Sequence, residues 1–131
     1  MLGSQKLVAF GATTDGERAV AFYGSLLGLP VRSNDTFAIA FDANGVELRL
    51  QKVEHLTPPP FTVLGWQVAD IARVLEQLTA SNVNPERYAW LDQDDAGIWR
   101  APSGARVAWF KDPDGNLLSV AQYPATNSSE R

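Results

Sequence analysis

The sequence predicts an α+β fold made of two copies of one strand–helix–three-strand module. Three observations carry that expectation. The strand KLVAFGA (6–12) runs into a helix start at Asp15 and the strand FTVLGWQV (61–68) into another at Asp70, with Val8 and Val63 each seven residues before the acid. Each half later turns on a glycine, at 42–45 in the first and 112–115 in the second. Between these landmarks, strand parity sorts side chains onto an apolar face and a mixed one. A repeat this long, in 131 residues, describes two modules of one domain and not a solenoid array.

In the first module, Asp15 is placed to cap a helix, with Thr14 and Glu17 as an alternative capping box, because a short oxygen-bearing side chain satisfies free N–H groups of the first turn. Val20, Tyr23, Leu26 and Leu27 fall at helical spacing, with Phe22 alongside. Gly28 and then Pro30 fit the helix stop. VRSN, TFAIAF and VELRLQKV read as strands, the last two joined by Asn44-Gly45, a dipeptide favoured in tight hairpins. The loop TPPP (57–60) separates the modules, which span about 5–53 and about 61–123 of a single domain, 1–131.

In the second module, Ile71, Val74, Leu75 and Leu78 match the i, i+3, i+4, i+7 stripe of an amphipathic helix starting at Asp70. A strand is predicted near ERYAW and a short one at IWRA. A PSG turn, the strand ARVAWF, the DPDG turn and the strand NLLSV follow. The helix starts lie 55 residues apart and the turns 70, so the second module holds 15 extra residues, within about 84–104.

Composition narrows the function classes. Net charge is −4 and no basic stripe is present, which argues against nucleic acid. The absence of Cys excludes disulfides, thiolate metal sites and a Cys nucleophile. MLGSQKLVAF has no apolar stretch of signal-peptide length, and no apolar run approaches about 18 residues, so the expectation is a soluble, cytoplasmic protein with no membrane partner. The polar tail PATNSSER is expected to fray. No Ser-His-Asp, P-loop or G-x-G-x-x-G pattern occurs. The only His, His55, lies in the loop between modules, where an imidazole is ordinarily just solvated.

Parity assigns Leu48, Leu50, Leu64, Trp66, Val68, Phe110, Leu118 and Val120 to a face suited to helix packing. The opposite face carries Val8, Phe10, Glu47, Arg49, Gln51, Val63, Gly65, Gln67, Val107, Trp109, Lys111, Leu117, Ser119 and Ala121. Apolar walls with a few polar groups suit a ligand site, although a solvated sheet face alternates in the same way.

AVAFYGSLLGLPV, GWQVADIARVLEQLTASNV and WFKDPDGNLLSV resemble the vicinal oxygen chelate superfamily, which includes glyoxalase I, bleomycin resistance proteins, extradiol dioxygenases and fosfomycin-resistance enzymes. The resemblance covers about residues 5–123. It implies two βαβββ modules forming a cupped mixed sheet with helices outside, commonly as a homodimer. The metal enzymes of that superfamily carry ligands, usually His, Gln or Glu, on the first and last strands of each module. By resemblance those positions are Val8, Arg49, Val63 and Ser119 here. Val offers no lone pair, Arg is a fixed cation, and a lone Ser hydroxyl is a weak ligand. The expectation is therefore no metal and no cofactor. The remaining route to a divalent ion such as Zn, Ni, Mn or Fe uses Glu47 with Gln51 or Gln67.

Without a metal, Arg49 is a candidate to hold a carboxylate or phosphate, or else to pair with Glu47, Asp112 or another acid. Gln51, Gln67, Ser119 and Glu47 are candidate polar contacts, with Phe10 on the wall and Trp109 placed to stack on a planar ring. Tyr88, Trp90 and Trp99 lie in or beside the extra segment with Asp92, Asp94 and Asp95. That segment reads as a lid, or as a surface hairpin whose rings fill a satellite core or a dimer interface. The predicted function is a metal-independent protein binding a small molecule, of antibiotic type, as a homodimer. The alternative is a metal-dependent lyase or dioxygenase of the glyoxalase type acting on a small oxygenated substrate. Chemistry by Arg49, Glu47 and Lys111 without metal, or an interaction module with a vestigial site, are the further options.

Overall fold

The computed structural model describes residues 1–125, so most of the tail expected to fray lies outside the described residues. Contacts divide the chain into two compact units that adjoin in sequence at Pro58 and Pro59, inside the predicted proline loop.

The first unit is a four-stranded mixed sheet. Its strands are β1 (Val8–Thr13), β2 (Val31–Asn34), β3 (Ala38–Ala43) and β4 (Val46–Lys52), in the order β1-β4-β3-β2. β1 lies parallel to β4, and the other pairs are antiparallel. A parallel pair needs a crossover, and the segment after β1 supplies a helix within it. Asp15 caps that helix, its carboxylate accepting the Arg18 N–H at 3.1 Å. Only α1 (Gly16–Ala19) is α-helical, and Val20–Leu26 winds as a π-helix. This departs from the uniform helical spacing predicted. The wider winding buries Phe22 together with its neighbour Tyr23, with their rings edge to face at 5.1 Å and Tyr23 5.8 Å from Phe41 of β3. Leu27 N–H bonds the Phe22 carbonyl at 2.9 Å, and Gly28, at φ 83°, turns the chain out. Asn44 (φ 52°) and Gly45 (φ 94°) form the expected two-residue turn, closed by the Ala43–Val46 pair.

The second unit repeats the plan. Strands β5 (Leu64–Gln67), β6 (Trp99–Arg100), β7 (Arg106–Lys111) and β8 (Leu117–Gln122) stand in the order β5-β8-β7-β6, with β5 parallel to β8. Asp70 caps α2 (Ile71–Ala80) through the Arg73 N–H at 3.2 Å, and the Gln122 side chain accepts the Ile71 N–H at 3.0 Å. Ile71, Leu75 and Leu78 are the buried stripe of α2.

The apolar face appears where parity placed it. Leu48, Leu50, Phe110, Leu118 and Val120 are buried, whereas Leu64, Trp66 and Val68 are only half-buried. On the first sheet a Cβ at Gly11 would come within 2.8 Å of Leu50, so the glycine makes room for that side chain. The DPDG segment is a longer loop than a two-residue turn, running from Lys111 to Leu117. Asp112 holds it together. Its buried carboxylate accepts the N–H groups of Asp114 and Asn116, both at 2.9 Å, and the Asn116 amide at 2.8 Å. Among the described residues, no helix is long and apolar enough to cross a membrane.

Candidate functional site

The predicted site residues fall into two groups, one on each sheet. On the first sheet, register places Val8 beside Glu47, Phe10 beside Arg49 and Ala12 beside Gln51. β3 continues these rows with Asp42, Ala40 and Ala38. Phe10 is 56% and Val8 41% exposed, an apolar edge beside a charged ladder. Arg49 pairs with Glu47 at 3.8 Å, and Arg32 of β2 bridges Asp42 at 3.3 Å and Glu47 at 3.8 Å. Arg49 therefore takes the ion pair that the sequence offered as the alternative to ligand binding. All four groups remain partly exposed, so these pairs are weak and exchangeable. Asp35 lies in the same field: the N–H groups of Phe37 and Ala38 hold its carboxyl below the usual range, with Arg49 and Lys52 adding to the effect.

On the second sheet, Trp109 of β7, Ser119 of β8 and Gly65 of β5 form one row. Ser119 Oγ lies 2.7 Å from the place a Cβ would occupy at residue 65, so glycine leaves that hydroxyl room beside Trp109. Gln67 lies one row away, beside Ala121 and Val107. Trp99, paired with Val107, brings its ring to 6.0 Å from Trp109 in a tilted stack. Tyr88 meets Trp109 edge to face at 5.7 Å, and Trp90 lies 5.2 Å from Tyr88, 77% exposed. The aromatic residues of the extra segment thus gather around Trp109.

This segment, 84–104, is a strap pinned to the outer edge of β7. The Glu86 N–H bonds the Trp109 carbonyl at 2.7 Å, and β6 pairs with Val107 and Arg106. The strand predicted near ERYAW does not form. The Gln93 carboxamide takes the backbone groups that a neighbouring strand would have paired: it accepts the Tyr88 N–H at 2.8 Å and donates to the Glu86 carbonyl at 3.0 Å and to the Gly97 carbonyl at 2.9 Å. Asp94 caps the strap's tip, accepting from Ala96 at 3.0 Å and Ile98 at 2.9 Å. Arg87 donates to the Asp94 and Asp95 carbonyls. Gly97 (φ 91°) sits where a Cβ would meet Pro85 at 2.7 Å. Behind the strap an open groove of about 730 Å³ is lined by Leu75, Glu76, Pro85 and Arg87; none of the four rings lines it.

Lys111 pairs with Glu86 at 3.4 Å. Burial pushes the Tyr88 phenol upward; the Glu86 carboxylate adds to this and Lys111 opposes it. Folding thus favours the neutral phenol. Its contribution to stability is complete below the ordinary value of about 10 and is lost as pH rises through the higher folded value. Thermal midpoints between about pH 9 and 11 should fall more steeply for the parent than for Tyr88→Phe. Equal slopes would place the phenol in open solvent.

Gln93, Glu86 and Arg32 were not singled out from sequence. A glutamine among aspartates carries no periodic signal, and neither charge announces which of several partners it meets. His55 is exposed in its loop, as expected. Among the described residues, no group of three or more His, Cys, Asp or Glu stands close enough to hold a metal.

The topology, two mixed sheets each ordered first-last-third-second with a helical crossover, defines the paired βαβββ class. The family model for the Glyoxalase/Bleomycin resistance protein/Dioxygenase superfamily matches residues 9–120, and the chain belongs to that superfamily. Solved structures agree in fold. A bleomycin resistance determinant encoded on the transposon Tn5 superposes with a TM-score of 0.72 at 18% identity, over 93% of this chain and all (100%) of the other. A bleomycin-binding protein solved with bleomycin gives 0.69 at 18% identity, over 92% and 100%. A superfamily member from Sphaerobacter thermophilus gives 0.68 at 20% identity, over 93% and 99%. No curated protein matches the chain significantly.

Proposed function

We propose that this chain is a metal-independent small-molecule-binding protein of the bleomycin-resistance kind, taking a ligand with at least one planar aromatic ring. The observation that carries the reading is the half-exposed Trp109 indole, framed by Trp99 and Tyr88 and set in a row with Ser119 and the bare backbone of Gly65. Flat aromatic faces offer stacking area at small entropic cost, and the hydroxyl supplies an orienting hydrogen bond. The solved neighbour that carries bleomycin supports a binding role.

Metal independence rests on residue chemistry. The positions that the superfamily resemblance implies for its ligands are Val8, Arg49, Val63 and Ser119, and none supplies an imidazole or a carboxylate. The reading includes a cytoplasmic homodimer. The lack of Cys suits a reducing compartment, and Val8 and Phe10 of the edge strand β1, with Leu7 just before it, offer exposed apolar side chains to a second copy.

The test uses untagged protein purified without chelator, incubated with Zn²⁺, Ni²⁺, Mn²⁺ or Fe²⁺ and assayed by elemental analysis. Binding of 2-naphthoate is then followed by tryptophan quenching before and after EDTA. The expected result is no stoichiometric ion and an affinity that EDTA leaves unchanged. One tightly held ion per chain, lost in Glu47→Ala, would overturn metal independence and revive the metal-dependent lyase or dioxygenase reading.

A further inference from the structure

We propose that Gln93 is the positioning residue of the aromatic site: its carboxamide holds the strap in the one path that sets Tyr88 and Trp99 against Trp109. The inference rests on the ring cluster being the ligand face, and adds the residue that makes the cluster rigid. Gln93 is half-buried and uses both ends of its side chain. Its oxygen accepts the Tyr88 N–H at 2.8 Å, which fixes the backbone carrying one ring. Its nitrogen donates to Glu86 at 3.0 Å and to Gly97 at 2.9 Å, tying the strap's entry to its return. Its own backbone bridges to Trp99, the second ring. The Glu86 N–H in turn bonds the Trp109 carbonyl at 2.7 Å, so one side chain connects the segments bearing all three rings.

The chemistry asked of position 93 is specific. It needs one acceptor and two donors, within reach of two carbonyl oxygens and one N–H, and a primary amide supplies all three. Leucine of similar size supplies none. A carboxylate keeps the acceptor but faces two carbonyl oxygens with negative charge. When protonated it regains one donor. The ligand-facing rings are not altered by either change, so any loss of binding reports their placement.

The experiment titrates 2-naphthoate against the parent, Gln93→Leu, Gln93→Glu and Trp109→Ala, with the indole exciton region of the far-ultraviolet circular dichroism recorded for each. The Trp99–Trp109 pair should give an exciton signal in the parent that shrinks in Gln93→Leu, alongside about tenfold weaker binding. In Gln93→Glu, binding and exciton signal should both recover as pH falls from about 8 to 5, while the parent stays flat. Acid rescue of binding with the backbone circular dichroism signal unchanged across that pH range separates ring placement from loss of fold, and it remains decisive if Gln93→Leu fails to fold. Parent-like binding in Gln93→Leu, or no acid rescue in Gln93→Glu, overturns the assignment while a weakened Trp109→Ala leaves the aromatic site standing. Parent-like binding in Trp109→Ala overturns both.

Discussion

Asp112→Ala is expected to destabilise the protein by about 2–4 kcal/mol. Asp112 is 5% exposed and sits at the start of the loop between β7 and β8. Its carboxylate accepts hydrogen bonds from the Asp114 and Asn116 N–H groups and from the Asn116 side chain. Its backbone closes the loop in both directions, with the N–H to Asn116 and the carbonyl from Gly115, each at 3.0 Å. Truncation leaves these donors facing an apolar methyl group in a place where Asn116 is itself buried. An unmatched buried donor costs more than the net worth of the bond it lost, because water cannot replace the acceptor. Urea unfolding should show a lower midpoint with an unchanged slope. Asp112→Asn, which keeps one acceptor oxygen, should lose roughly half as much. A midpoint within error of the parent for Asp112→Ala would mean that water enters the loop freely.

Trp109→Ala is expected to weaken 2-naphthoate binding about thirtyfold, or about 2 kcal/mol, while far-ultraviolet circular dichroism keeps the parent's backbone signal and loses only the Trp99–Trp109 exciton contribution. The asymmetry follows from exposure. Trp109 is half-exposed, so its removal opens no sealed cavity of the kind that Phe110→Ala, one residue on and buried, would create. Its energetic weight lies in the ring face it presents and in the two rings that lean on it. Without the indole, Trp99 and Tyr88 lose the surface between them, at 6.0 Å and 5.7 Å. Parent-like affinity with an intact fold would move the ligand off this face.

Much of the fold was legible in the sequence, for local reasons. Asp15 and Asp70 cap helices because a carboxylate three residues before a free N–H reaches it whatever the rest of the chain does. Asn44-Gly45 makes its hairpin because both residues tolerate positive φ. Alternation along Glu47–Gln51 and Val107–Lys111 separates the faces because strand side chains alternate by geometry alone. The failures were also physical. ERYAW has strand composition, but its backbone groups are taken by Gln93, a side chain five residues from Tyr88 and seven from Glu86. The segment after Ala19 has helical spacing, but packing Phe22 on Tyr23, and Tyr23 on Phe41, favours a wider winding than propensity would choose.

The candidate site divides along the same line. The sequence by itself determined which side chains share a sheet face and that Trp109 faces the same way as Ser119. Each of these follows from counting along a strand of period two from a cap or a turn. Tertiary structure alone decided that Arg49 meets Glu47, that Lys111 meets Glu86, and that Tyr88 and Trp99 come to rest on Trp109. Those outcomes depend on the path of an irregular strap and on a choice among several acids. Partner choice is settled by distances in space, which no short-range rule along the chain encodes.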